Sequence, residues 1–156
     1  MAGRIEATLA GLGITLPTPM TPLANYVPFV VSGKLVVVSG QVPAVDGRIA
    51  HTGAVGPGGL SVEDGQAAAR ACMVNVIAQL RAACGGDLDR VARVVRLGGF
   101  ITSAAGFTGQ AQVMNGASDL AVAVFGEAGR HARTTIGVPA LPADAAVEVE
   151  GMFELR

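Results

Sequence analysis

The chain has 156 residues, 51% of them hydrophobic and 15% charged, with a net charge of −1. With a mean hydropathy of +0.51, that balance excludes a disordered chain and predicts one substantial core in a single domain over residues 1–156. The near-neutral charge gives no electrostatic footprint for nucleic acid or an anionic membrane, and no run reaches the roughly 18 apolar residues of a membrane span.

Taken in chain order, Ile5, Leu9 and Leu12 are spaced for a short N-terminal helix over about 4–13 that stops at Gly13. Pro17, Pro19 and Pro22 carry an extended lead-in. Residues 27–31 and 35–39, joined through Ser32-Gly33-Lys34, predict a hairpin of valine-rich strands. Residues 43–60 are rich in Gly, Pro and Asp, with one short strand expected around Arg48 to His51. The clearest element is a helix from Ser61 to Cys84. Ser61 and Asp64 resemble a capping box, and Ala69, Cys72, Met73, Val76, Leu80 and Ala83 form an apolar stripe. Arg70, Gln79 and Arg81 take its other faces. Val91 to Ile101 reads as a strand, 103–113 as a Gly- and Ala-rich connection, and Ala117 to Gly126 as a second helix. Strands over Thr134–Val138 and Ala146–Leu155 follow; in the last, Val147, Val149 and Phe153 alternate with Glu148, Glu150 and Glu154. The order predicts an α+β domain with a mixed sheet carrying both long helices on one face. The other face then needs cover, and self-association would supply it.

The charged inventory narrows the chemistry. Lys34 is the only lysine, and a hairpin tip is a poor place for a Schiff-base nucleophile. His51 and His131 lie eighty residues apart, and neither has a Cys-x-x-Cys nearby, so no zinc or other metal site and no redox site is expected. Cys72 and Cys84 are too few for a disulfide framework; with no secretory leader pattern, they suit reduced thiols in a cytoplasmic protein. Arg90, Arg93 and Arg96 look like a basic stripe, but on a regular strand Arg93 faces away from the other two. Asp87 and Asp89 precede them, so RNA binding is not expected. Three places join polar groups to apolar surroundings. They are Ser39-Gly40 at a strand end, Arg133 where a strand begins, and Glu148 on the last strand. The plain alternatives are a turn, a solvated arginine and a solvated strand face.

Ser39-Gly40-Gln41-Val42-Pro43, Asn75, Asn115, His131-Ala132-Arg133, Leu141-Pro142 and Val147-Glu148-Val149-Glu150 come in an order that resembles the RidA/YjgF family, also labelled endoribonuclease L-PSP. The resemblance covers roughly residues 24–155. It implies a chorismate-mutase-like fold, a homotrimer with ligand clefts between subunits, and cofactor-free hydrolysis of 2-imino or enamino acids to 2-keto acids and ammonia. It assigns the carboxylate-binding arginine to Arg133 and the water-orienting glutamate to Glu148 rather than Glu150. Tyr26, Ser39, Gly40, Asn115 and Thr135 fall on the family's substrate-binding positions. His131 stands where the family usually has proline, and Thr135 where it often has cysteine. The expected partners are a small 2-imino or 2-keto acid and further copies of the chain. The alternative of another class is a protein of the same fold that binds or senses a 2-keto acid without turnover. Glu148 separates the two, because binding needs Arg133 while hydrolysis also needs an oriented water.

Overall fold

The computed structural model describes residues 3–156. Ile5 and Leu9 lie one helical turn apart and both are buried, which docks helix α1 (Arg4–Gly11). It stops two residues before the expected end, with Gly13 beyond it at φ +71°. Gly3 has no side chain to cap it, and the cap comes from far along the chain. The Asp89 carboxylate accepts from the Arg4 N–H at 2.7 Å and the Ile5 N–H at 2.9 Å. Glu6 returns the service, accepting from the Leu88 N–H at 3.0 Å. The two backbone N–H groups hold the Asp89 carboxyl below the usual carboxylate range.

The hairpin forms as β1 (Phe29–Ser32) and β2 (Leu35–Gln41), turning through Gly33 at φ +60°. The strand expected near Arg48 is β4 (Arg48–Ile49), paired only with β3 (Ala44–Val45) in a ribbon apart from the main sheet. Helix α2 (Val62–Ala83) is capped by Ser61 and Asp64 in reciprocal bonds of 3.0 and 3.3 Å. Its stripe of Ala69, Cys72, Met73, Val76 and Leu80 is buried as the spacing predicts. Gln79 corrects the helical-wheel reading, because it is only 1% exposed. Its amide donates to the Met20 carbonyl at 2.8 Å, while Asn75, also buried, donates to the carbonyls of Val42 and Ala44 at 2.9 and 3.0 Å. Both buried amides are therefore satisfied, and each pins a loop.

Helix α3 (Gln110–Phe125) begins seven residues before the expected Ala117, so residues 110–113 are helix rather than connection. Val113, Met114, Ala117, Leu120, Ala121 and Val124 supply its buried face. Its N-cap is Gly109, which offers no capping side chain and so leaves no start signal in the sequence. A Cβ at Gly116 would run into the Gln66 backbone carbonyl, so glycine there lets α2 and α3 pack closely.

Strands β5 (Val91–Thr102), β6 (Ala132–Val138) and β7 (Val147–Leu155) complete a sheet of order β1-β2-β7-β5-β6, in which only β5 and β6 pair in parallel. Val36, Val38, Leu97, Ile101, Val147, Val149 and Phe153 bury one face beneath α2 and α3. This is the expected α+β architecture. Among the described residues no helix covers the other face, where Val30 and Ile136 are each about half exposed.

Register shifts in β5 overturn the alternation assumed for its arginines. Arg93 pairs with Glu154 and Arg96 with Met152, so both take the uncovered side, while Arg90 lies in a 3-10 turn before the strand. No basic stripe results. Arg90 donates to the Cys84 carbonyl at 2.9 Å, Arg93 to the Arg130 carbonyl at 3.3 Å, and Arg96 meets Glu150 at 3.4 Å.

Candidate functional site

Glu148 lies on β7 opposite Phe100, on the uncovered face of the sheet. Beside it a cavity of about 260 Å³ opens between the 20–28 segment and the end of β2. Met20, Pro22, Leu23, Tyr26 and Val42 make its wall mainly apolar, and Glu148 is the only acidic group on it. The site depends on Gly40. A Cβ there would meet the Glu148 carboxyl, so glycine at the strand end lets the carboxyl keep this position. Ser39 holds the wall rather than facing the cavity: its hydroxyl donates to the Val27 carbonyl at 2.7 Å. Gln79 holds the same segment through Met20. Ala143, in the left-handed region at φ +56°, closes the cavity's far side. Burial raises the Glu148 pKa first, and the nearby Glu150 charge raises it further. Glu150 has Arg96 as a partner; among the described residues no cation pairs with Glu148.

Arg133 lies on β6 in parallel register with Leu97, which places it on the helix-covered face. Its Nη1 donates to Asn115 Oδ1 at 2.9 Å and to Ser118 Oγ at 3.2 Å, and its Nη2 donates to the Ala111 carbonyl at 3.2 Å. Residues 111, 115 and 118 follow the i, i+4, i+7 rule, so one face of α3 grips the guanidinium. Three of the five guanidinium N–H groups are used, leaving Nε–H and the second Nη2–H for a ligand. Thr135, two residues along on the same face, has a buried hydroxyl without a partner. Asn115 and Thr135 therefore stand with Arg133, whereas Tyr26, Ser39 and Gly40 stand with Glu148. Ser118 is a partner of Arg133 that sequence reading missed. Its signal was its place three residues after Asn115 on one helical face.

These two groups do not meet within one chain. Arg133 and Glu148 project from opposite faces of the sheet, two strands apart and three residues out of level. From ordinary strand geometry each offset is about 10 Å. A larger hollow of about 550 Å³ around Phe107, Thr108 and Gly109 has no ionisable lining residue. The Glu6, Asp87 and Asp89 carboxylates lie within 4.8 Å of one another. They serve as backbone caps at Leu88, Asp89, Arg4 and Ile5.

The fold and the two half-sites define a class of protein: a mixed sheet bearing two helices, with an arginine under one helix and a glutamate on the bare face. The chain belongs to the YjgF/chorismate mutase-like family, whose model carries an endoribonuclease description and matches residues 6–155. It is 52% identical over 156 residues to Protein TCP17 of Trypanosoma cruzi, covering 99% of this chain and 96% of that one. The crystal structure of Atu1372 from Agrobacterium tumefaciens, described as of unknown function, matches with a TM-score of 0.91 and 47% identity over 97% of this chain and 92% of that one. A Shewanella oneidensis structure labelled as an endoribonuclease matches with a TM-score of 0.93 and 35% identity, over 97% and 99% of the two chains. These labels place the family among hydrolases at the coarse level.

Proposed function

We propose that the protein hydrolyses reactive 2-imino or enamino acids to 2-keto acids and ammonia, in clefts formed where copies of the chain meet in a homotrimer. The observation that carries this is the division of the site. Arg133 offers two N–H groups to an anion on one sheet face, while Glu148, with a raised pKa and no cation partner, waits on the other. Joining Arg133 of one subunit to Glu148 of the next completes a carboxylate clamp and a base, and association also covers the bare sheet face.

In that cleft Arg133 takes the substrate carboxylate in two charge-assisted bonds, with Thr135 supplying a further donor. Orientation makes attack on the neighbouring C=N carbon effectively unimolecular. Glu148 accepts a proton from the water attacking the protonated imine, as the C–O bond forms and the C=N π pair moves to nitrogen to give a neutral carbinolamine. The carbinolamine then collapses: the proton held on Glu148 passes to the amine, the C–N bond breaks as the hydroxyl oxygen's lone pair forms the C=O bond, and the hydroxyl proton returns to Glu148, releasing ammonia and the keto acid. The protonated imine is already electrophilic, so the residues present suffice without a metal or cofactor. Met20, Pro22 and Leu23 favour an apolar substrate side chain, and Glu148 disfavours an acidic one. Intrachain commitment of Arg90, Arg93 and Arg96 favours this reading over RNA cleavage. The setting expected is cytoplasmic; no described helix is long and apolar enough to cross a membrane.

The test generates imines in situ with an amino-acid oxidase and follows keto-acid appearance, beside sedimentation equilibrium. Acceleration over buffer by a species of three chain masses supports the proposal. A monomer removes the shared cleft. Keto-acid binding without acceleration makes the protein a 2-keto-acid binding or sensing module.

A further inference from the structure

We propose that Ser118 and His131 are positioning residues for Arg133, forming a relay that fixes the guanidinium's orientation; this rests on Arg133 being the carboxylate clamp proposed above. His131 Nδ1 lies 2.6 Å from the Gly129 carbonyl, and His131 Nε2 lies 2.9 Å from Ser118 Oγ. A carbonyl can only accept, so Nδ1 carries the ring proton, and in the neutral ring Nε2 is an acceptor. The Ser118 O–H therefore donates to Nε2. Its oxygen is left to accept from Arg133 Nη1 at 3.2 Å. The hydrogen bonds from Arg133 through Ser118 and His131 to the Gly129 carbonyl all run in one direction.

The direction matters. A serine hydroxyl that rotated its proton toward Arg133 would point a donor at a donor and push the guanidinium from its seat. His131 prevents this by occupying the proton elsewhere. With Asn115 Oδ1 and the Ala111 carbonyl, Ser118 gives the guanidinium plane three fixed points along α3. The free Nε–H and Nη2–H edge then presents one orientation to a planar carboxylate. No aliphatic residue at 131 could do this.

The relay predicts a separation of binding from chemistry. Ser118→Ala should raise KM for the imine and Kd for pyruvate on the order of fivefold and lower kcat by less than that, because orientation is loosened while Glu148 and the water are untouched. Ser118→Thr keeps the hydroxyl and should restore binding. His131→Phe keeps a ring but loses the acceptor and should weaken pyruvate binding as Ser118→Ala does. An independent readout is imidazole ¹⁵N NMR at about pH 8, where an ordinary imidazole is neutral. The parent should show the Nδ1–H form, and thermal unfolding of each variant establishes that it is folded. Unchanged Kd in Ser118→Ala, with Arg133→Lys still abolishing binding, overturns the positioning role and leaves the clamp standing. An Nε2–H tautomer in the parent overturns the relay. Failure of pyruvate to bind the parent overturns the clamp itself, and the positioning role with it.

Discussion

Glu148→Gln tests the chemistry most sharply, because it removes a proton acceptor while keeping nearly the same shape against Gly40. An amide is a far weaker base than a carboxylate, so turnover of an in situ imine should fall roughly 10²-fold or more. Keto-acid affinity should hold, since the carboxylate is held by Arg133, whose own contacts to Asn115, Ser118 and Ala111 the substitution leaves in place. The parent's activity should rise with pH as Glu148 ionises. Burial and Glu150 lift its pKa, so that rise should lie above the usual carboxylate range. Stability should move the opposite way. A carboxyl whose native pKa exceeds its unfolded value binds its proton more tightly when folded, so folding stability declines as pH rises across that interval. Glutamine carries no such penalty. The variant should therefore match the parent in acid and unfold at a somewhat higher temperature near neutrality, an inactive but more stable protein.

Glu150→Gln is the control. It breaks the half-exposed Arg96 pair at 3.4 Å, which from typical surface pairs costs about 0–1 kcal/mol. It also removes the second cause of the Glu148 shift, so the activity profile should slide toward acid while the plateau rate stays. The assay is keto-acid release across pH for the three proteins. Equal plateau losses in the two variants, or a parent profile rising in the ordinary carboxylate range, would refute the assignment of Glu148 as base.

Arg133→Lys should weaken pyruvate binding at least tenfold by calorimetry despite keeping its charge, because an ammonium cannot span Asn115, Ser118 and Ala111 while offering a planar fork. Gly116→Ala gains about 1 kcal/mol of helix propensity but drives a methyl into the Gln66 carbonyl. Overpacking of about 1–3 kcal/mol wins, and urea unfolding should show net destabilisation. Asp89→Asn should loosen α1, seen as faster amide exchange at Arg4 and Ile5. The parent should reproduce that loosening as acid protonates Asp89, whose lowered pKa makes its stabilisation present at neutral pH and lost as pH falls through the native value.

Legibility in the sequence followed how local each signal was. Helix α2 could be read because Ser61 and Asp64 announce its start and a six-residue apolar stripe marks its face, all within one segment. Helix α3 was placed late because Gly109 gives no capping side chain, and the Gly- and Ala-rich run before it reads as loop. The shared side of Arg93 and Arg96 was invisible, since a bulge exists only in the pairing of β5 with β7. Gln79 looked like a surface residue on a helical wheel. Its place is set by its bond to the Met20 carbonyl, a contact 59 residues away in sequence.

The site shows the same limit in another form. Strand positions marked Ser39-Gly40, Arg133 and Glu148 only as polar groups in apolar surroundings, and the resemblance to the RidA/YjgF family chose them over a turn, a solvated arginine and a solvated strand face. They did not say that Arg133 and Glu148 would lie on opposite faces. That follows from parity along two strands that never touch, each registered to β5. Leu97 and Phe100 are three residues apart there, an odd number, so their side chains oppose, and with them Arg133 and Glu148. A chain folded this way cannot clamp a carboxylate and activate a water on one small molecule alone. The parity of a strand, more than any motif, makes association part of the proposed chemistry.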